Sequence, residues 1–145
     1  MSASEFFIIL EARAAGSSAE PSIAEGEITR ALALGKKLKR RLRSVPVFCG
    51  PDLLQVQTAD ALHDALKGKL RVLSALGLRG GVAQWQAAWK EIFAEVPSGV
   101  LVMALPQWNA LSAYLELGAF PAQTPLCCVR IHAKDAKTWV AEGVE

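Results

Sequence analysis

Cys49-Gly50-Pro51-Asp52-Leu53-Leu54-Gln55-Val56-Gln57-Thr58-Ala59-Asp60-Ala61-Leu62 is the stretch that decides the fold. The residues leading into it, Val45–Cys49, read as a short buried strand. Gly50-Pro51 turns the chain, and Pro51 or Asp52 suits the first turn of a helix running from about Asp52 to Leu66. A strand feeding a helix through a tight turn is the repeating unit of α/β domains.

The same alternation extends in both directions. Phe6–Leu10 is a continuous apolar run, as in a central strand buried on both faces. A loop rich in Ala, Gly, Ser and Pro spans Glu11–Ala24. A helix follows from about Gly26 to Arg43, with Ile28, Ala31, Gly35, Leu38 and Leu42 at steps of three and four. Beyond the second helix come a short strand (Leu70–Leu73), a loop (Leu76–Gly81) and an amphipathic helix (Val82–Val96) carrying Trp85 and Trp89. Val100–Ala104 is another buried strand. A helix starts near Pro106 and ends near Leu117, with Gly118 as its cap. Leu126–His132 reads as a strand, and Thr138–Val140 as a last short one. The pattern predicts one α/β domain over residues 1–145, a three-layer α/β/α sandwich around a mostly parallel sheet.

Composition sets outer bounds. With 52% hydrophobic and 21% charged residues and a net charge of +2, the chain is globular, with no overall bias toward nucleic acid or membrane. No apolar run reaches the roughly 20 residues that span a bilayer, and Glu5 with no basic segment argues against a signal peptide. Three cysteines, Cys49, Cys127 and Cys128, are an odd count with no CxxC spacing, which points to reduced thiols in a cytoplasmic setting. Only two histidines, His63 and His132, accompany them. No metal site and no cofactor are expected, and GxGxxG and P-loop motifs are absent. Ser17, Ser18 and Ser22 lack the elbow and base of a serine hydrolase.

Three segments together resemble the histidine phosphatase (phosphoglycerate mutase-like) superfamily. Pro51, Thr58 and Ala59 fall on the spacing of its motif Ser-Pro-x-x-Arg-Ala-x-x-Thr-Ala. Ile23–Gly35 keeps the hydrophobic, Ala31, Leu34 and Gly35 positions of the block around its first helix. Val100–Pro106 is similar to the strand that ends in Val-Ser-His-Gly. The resemblance runs along nearly the whole chain. Its compact length looks most like the small phosphohistidine-phosphatase branch, so a phosphoglycerate mutase-like fold is implied.

The catalytic positions that the resemblance implies carry other residues. Where the family has Arg-His after the first strand, this chain has Glu11 and Ala12. A register shifted by two residues would place Arg13 and Ala14 there instead, and lacks the histidine equally. Leu54 replaces the second phosphate-binding arginine, and Leu105-Pro106 replaces the second His-Gly. The general acid after the third strand has no counterpart in Ser74-Ala75-Leu76. A missing nucleophile and a missing charge clamp each remove several kcal/mol of transition-state stabilisation, on the order of 3–4 kcal/mol for one clamp donor alone. The implied role is a pseudophosphatase that binds a protein or a small ligand, with Glu11, Arg13, Gln55, Gln107, Trp108 and Asn109 as candidate ligand-binding residues. The competing reading is an enzyme with new acid–base chemistry at Glu11.

A third reading comes from Lys36, Lys37, Lys39, Arg40, Arg41 and Arg43, six basic residues within eight. Such a run suits the negative end of a helix macrodipole and could also meet an acidic partner. No aromatic residues interleave with it, which disfavours nucleic acid. Exposed sheet edges leave a homodimer open.

Overall fold

The computed structural model describes residues 4–16, 21–42, 44–118, 120, 124–135 and 138–144. Ser17, Ser18 and Arg43 of the sequence analysis lie outside them. In chain order the described elements are β1 (Glu5–Leu10), β2 (Ala14–Ala15), β3 (Ser22–Ile23), α1 (Glu27–Lys39), β4 (Val47–Cys49), α2 (Leu53–Leu66), β5 (Leu70–Val72), α3 (Val82–Glu95), β6 (Ser98–Met103), α4 (Leu105–Tyr114), β7 (Cys128–Ala133) and β8 (Trp139–Val144). Two short 3-10 turns, Ser74–Leu76 and Leu78–Gly80, fill the loop after β5.

The main sheet has the order β5-β4-β6-β1-β7-β8. β5, β4, β6 and β1 are mutually parallel, and β7 runs antiparallel between β1 and β8. The apolar run of β1 explains its central place, because side chains alternate between two buried faces. Phe7 and Ile9 enter one core with Ala31 and Leu38 of α1 and Ala59 and Leu62 of α2. Phe6, Ile8 and Leu10 enter the other with Trp85 and Trp89 of α3 and Trp108 and Leu111 of α4. This is the three-layer α/β/α sandwich with a mostly parallel sheet. No described helix is long and apolar enough to cross a membrane.

α1 and α2 pack closely because Gly35 has no side chain. A Cβ there would lie 2.7 Å from the Ala65 Cβ. α1 ends at Lys39, earlier than the predicted Arg43; Arg40 and Arg41 already form a turn, and Ser44 has a left-handed φ of 50°. The predicted loop Glu11–Ala24 contains the two-residue ladder β2–β3, too short to leave a period in the sequence. β8 extends to Val144, past the predicted Val140, because every residue from Trp139 to Val144 finds a partner on β7.

Four parallel strands therefore deliver their C-terminal ends to one edge of the sheet. In open α/β sheets this is where ligand sites form.

Candidate functional site

β1 ends at Leu10, and the Glu11 backbone N–H donates to Met103 O at 2.9 Å, holding Glu11 at the end of the strand pair β1–β6. Its side chain lines a pocket of about 630 Å³ with Pro21, Pro51, Asp52, Leu53, Leu54, Leu78 and Arg79. Burial pushes the Glu11 carboxyl up to about 7, and the nearby charge of Asp52 adds to the effect. Among the described residues Glu11 forms no ion pair. Arg13 is exposed, and its backbone N–H donates to Glu27 Oε2 at 2.9 Å. Glu11, in the first of the two registers, is thus the residue that faces the pocket.

The residues around Glu11 are fixed by short, buried hydrogen bonds. Ala12 is buried, and its N–H donates to Thr58 Oγ1 at 3.1 Å, while the Thr58 hydroxyl donates to Leu54 O at 2.8 Å. One threonine therefore ties the end of β1 to the first turn of α2. Leu54 is almost fully buried and forms part of the pocket wall. Asp52 accepts from the Leu78 N–H at 2.9 Å, which anchors the loop after β5 over the pocket. Leu105, the first residue of α4, is exposed and does not line this pocket.

Three of the candidate ligand-binding residues are turned into the scaffold, a correction to the sequence reading. Gln55 and Gln107 are buried and bond to one another, Nε2 of Gln55 donating to Oε1 of Gln107 at 3.0 Å. Gln55 Oε1 accepts from Gly50 N at 3.0 Å. Gln107 Oε1 also accepts from Ala104 N at 3.0 Å, and its Nε2 donates to Leu76 O at 2.6 Å. The two amides brace the ends of β4 and β6 and the loop after β5. Gly50 is required at this crossing, since a Cβ there would lie 2.2 Å from Leu76 O. Trp108 is fully buried and meets the Phe120 ring edge-on at 4.9 Å, so it packs the core instead of lining the pocket mouth. Asn109 is exposed on α4, and its carbonyl accepts from Ser112 Oγ.

Both histidines sit away from the strand ends. His63 is ten residues beyond Leu53 on α2, about 15 Å along the helix. His132 opposes Glu5, the first residue of β1, roughly 20 Å of strand from Glu11. Burial pushes the thiols of Cys49 and Cys128 up to about 12, so neither is a ready nucleophile. The ligand atoms of Asp60, His63 and Asp64 lie within 4.8 Å of one another on the surface of α2. The helical spacing of these three residues could have suggested this cluster from sequence.

Glu27, which the sequence reading did not single out, secures the other side of the β1 loop. It is buried, with Arg13 N–H on Oε2 and Arg30 Nη1 on Oε1 at 2.6 Å. Burial raises its carboxyl, but the bonds from Arg13 and Arg30 outweigh that and hold it below the usual range.

No model of a known protein family matches the sequence, and no curated protein matches it. Solved structures do. The protein histidine phosphatase SixA complexed with tungstate is 20% identical with a TM-score of 0.81, over 95% of this chain and 94% of that one. A mycobacterial glucosyl-3-phosphoglycerate phosphatase is 14% identical at TM-score 0.77, over 97% and 98%. Phosphoglycerate mutase of Bacillus anthracis is 12% identical at TM-score 0.76, over 99% and 93%. The chain has the fold of the histidine phosphatase superfamily, in its phosphoglycerate mutase-like form.

Proposed function

We propose that this chain uses the histidine-phosphatase fold without phosphatase chemistry, as a pseudophosphatase that binds a protein segment or a small non-phosphorylated ligand at the Glu11 pocket. The observation that carries the reading is the content of the strand ends: a carboxylate at Glu11, a second at Asp52, and the apolar side chains of Leu53, Leu54 and Leu78. Above about pH 7 two carboxylates repel a phosphate dianion, and an apolar wall offers it no hydrogen bonds. Among the described residues Arg79 is the one cation lining this pocket, a single charge where phosphoryl chemistry calls for a clamp. With both histidines distant, no imidazole is in reach to take up a phosphoryl group. A neutral or cationic ligand with apolar surface suits the pocket better, and Glu11 would hold it as a hydrogen-bond donor below about pH 7 or as an anion above. The buried thiols of Cys49 and Cys128 fit a cytoplasmic setting.

The test is turnover of phosphohistidine, p-nitrophenyl phosphate and sugar phosphates. The proposal expects none above background, whereas turnover abolished by vanadate would sink it.

One observation favours a second reading. A carboxyl raised to about 7 beside a second carboxylate is the environment of a general acid or base. If the pocket carries a new activity of this kind, Glu11→Gln removes it while thermal unfolding still shows a folded protein.

A further inference from the structure

We propose that the trough between α1 and the outer strand β8 receives an acidic, extended segment of a partner protein, which adds to β8 as a further strand. Among the described residues β8 closes one side of the sheet order, and only β7 pairs with it. Six residues with an open hydrogen-bonding edge are long enough to template another strand. The strand register shows which way the side chains look. Phe7 opposes Arg130, which opposes Glu142; Ile9 opposes Cys128, which opposes Val144. Phe7, Ile9 and Cys128 face the core under α1 and α2, so Glu142 and Val144 look out on the α1 side as well.

On that side, Lys37, Arg40 and Arg41 of α1 and its following turn meet Arg130, Glu142 and Val144 around a hollow of about 400 Å³. Among the described residues the charges there do not cancel. Arg130 is held by Glu5 at 2.7 Å. Glu142 faces Arg130 at 3.5 Å and His132 at 3.6 Å. Among the described residues no carboxylate pairs with Lys37, Arg40 or Arg41. An added strand would lie about 4.8 Å from β8. Every second side chain of it would point toward these three cations, and acidic residues at those positions would complete their ion pairs.

Charge disfavours a second copy of this chain as the occupant, because a two-fold axis at β8 would bring the two basic rows together. Base stacking has no platform here. Trp139, the aromatic residue of β8, lies on the opposite face against Phe6 and Phe93. The trough shares no lining residue with the Glu11 pocket and stands whether or not that pocket binds as proposed.

The experiment uses the full, isotope-labelled chain titrated with an eight-residue peptide of alternating valine and glutamate, followed by amide chemical shifts and hydrogen exchange. Shifts and slowed exchange should concentrate in residues 139–144 and 37–41. Raising the salt should weaken binding about tenfold or more, and a valine–lysine peptide should not bind. The variant K37E/R40E/R41E should lose binding. The milder K37Q/R40Q, altering two exposed residues, should weaken it several-fold with thermal unfolding unchanged. The proposal is overturned if the glutamate peptide does not bind, if the charge variants bind it equally, or if oligothymidylate binds instead and leaves the β8 amides unmoved.

Discussion

Gln55 Nε2 donates to Gln107 Oε1 at 3.0 Å inside the edge of the sheet where β4 and β6 end. Each amide also holds backbone: Gly50 N on Gln55, and Ala104 N and Leu76 O on Gln107. The pocket at Glu11 is thus built on a braced frame, and the amides that a ligand could have used are already satisfied.

Gln107→Leu keeps the approximate volume but strands Ala104 N–H, Leu76 C=O and Gln55 Nε2 without partners. An unsatisfied buried group costs about 1–3 kcal/mol, and the three are coupled, so a loss of roughly 2–4 kcal/mol is expected in urea unfolding. A change below about 0.5 kcal/mol would show that solvent replaces these bonds freely.

Stability should depend on pH with opposite signs at two glutamates. Glu11 is raised from 4.5 to about 7 in the folded chain. The fold therefore favours its protonated form, and stability falls as pH rises from about 4.5 through 7. Glu27 is lowered, so its contribution is present above the ordinary carboxylate pKa and is lost as pH falls through its depressed value. Glu11→Gln should flatten the slope between pH 5 and 7.5 and stabilise the protein at pH 8 by about 1–2 kcal/mol, after allowing for solvent screening of a partly exposed group. Unfolding midpoints across this range check it; an unchanged slope in Glu11→Gln would place the titration elsewhere.

Gly35→Val inserts a branched side chain where even a Cβ would sit 2.7 Å from Ala65. Overpacking of this kind costs about 1–3 kcal/mol. Gly35→Val/Ala65→Gly should recover part of the loss, because the added volume gains room on the facing helix. Identical instability of the single and double variants would argue against a direct helix–helix clash.

The order of strands and helices was legible because each main element leaves a physical trace. Phe6–Leu10 and Val100–Met103 are apolar on both faces, and Ala31, Gly35 and Leu38 repeat along one side of α1. The destination of Gln55 and Gln107 was not legible. α2 is buried along two stripes, Leu54, Thr58, Ala61 and Ala65 on one and Gln55, Ala59, Leu62 and Leu66 on the other. A polar residue inside such a helix reads the same whether it meets a ligand or another buried amide. Trp108 was misplaced for a related reason: its position just past a strand end suggested the pocket mouth, whereas α4 turns that side into the core against Phe120. Glu11 was legible as a charged residue directly after an apolar strand. Its raised pKa was not, since the burial that causes most of it comes from elements distant in sequence, and Asp52, which adds to it, lies forty-one positions later in the chain.

Titration of the protein with vanadate at pH 8, where Glu11 is ionised, followed by calorimetry and by amide chemical shifts, decides whether the strand ends still take an oxyanion. No saturable heat is expected up to millimolar vanadate, and no shift of the amides at residues 11, 12 and 52–54. One-to-one binding that moves those amides would mean that the strand ends still form an oxyanion site, and would contradict the assignment of this pocket to a non-phosphorylated ligand.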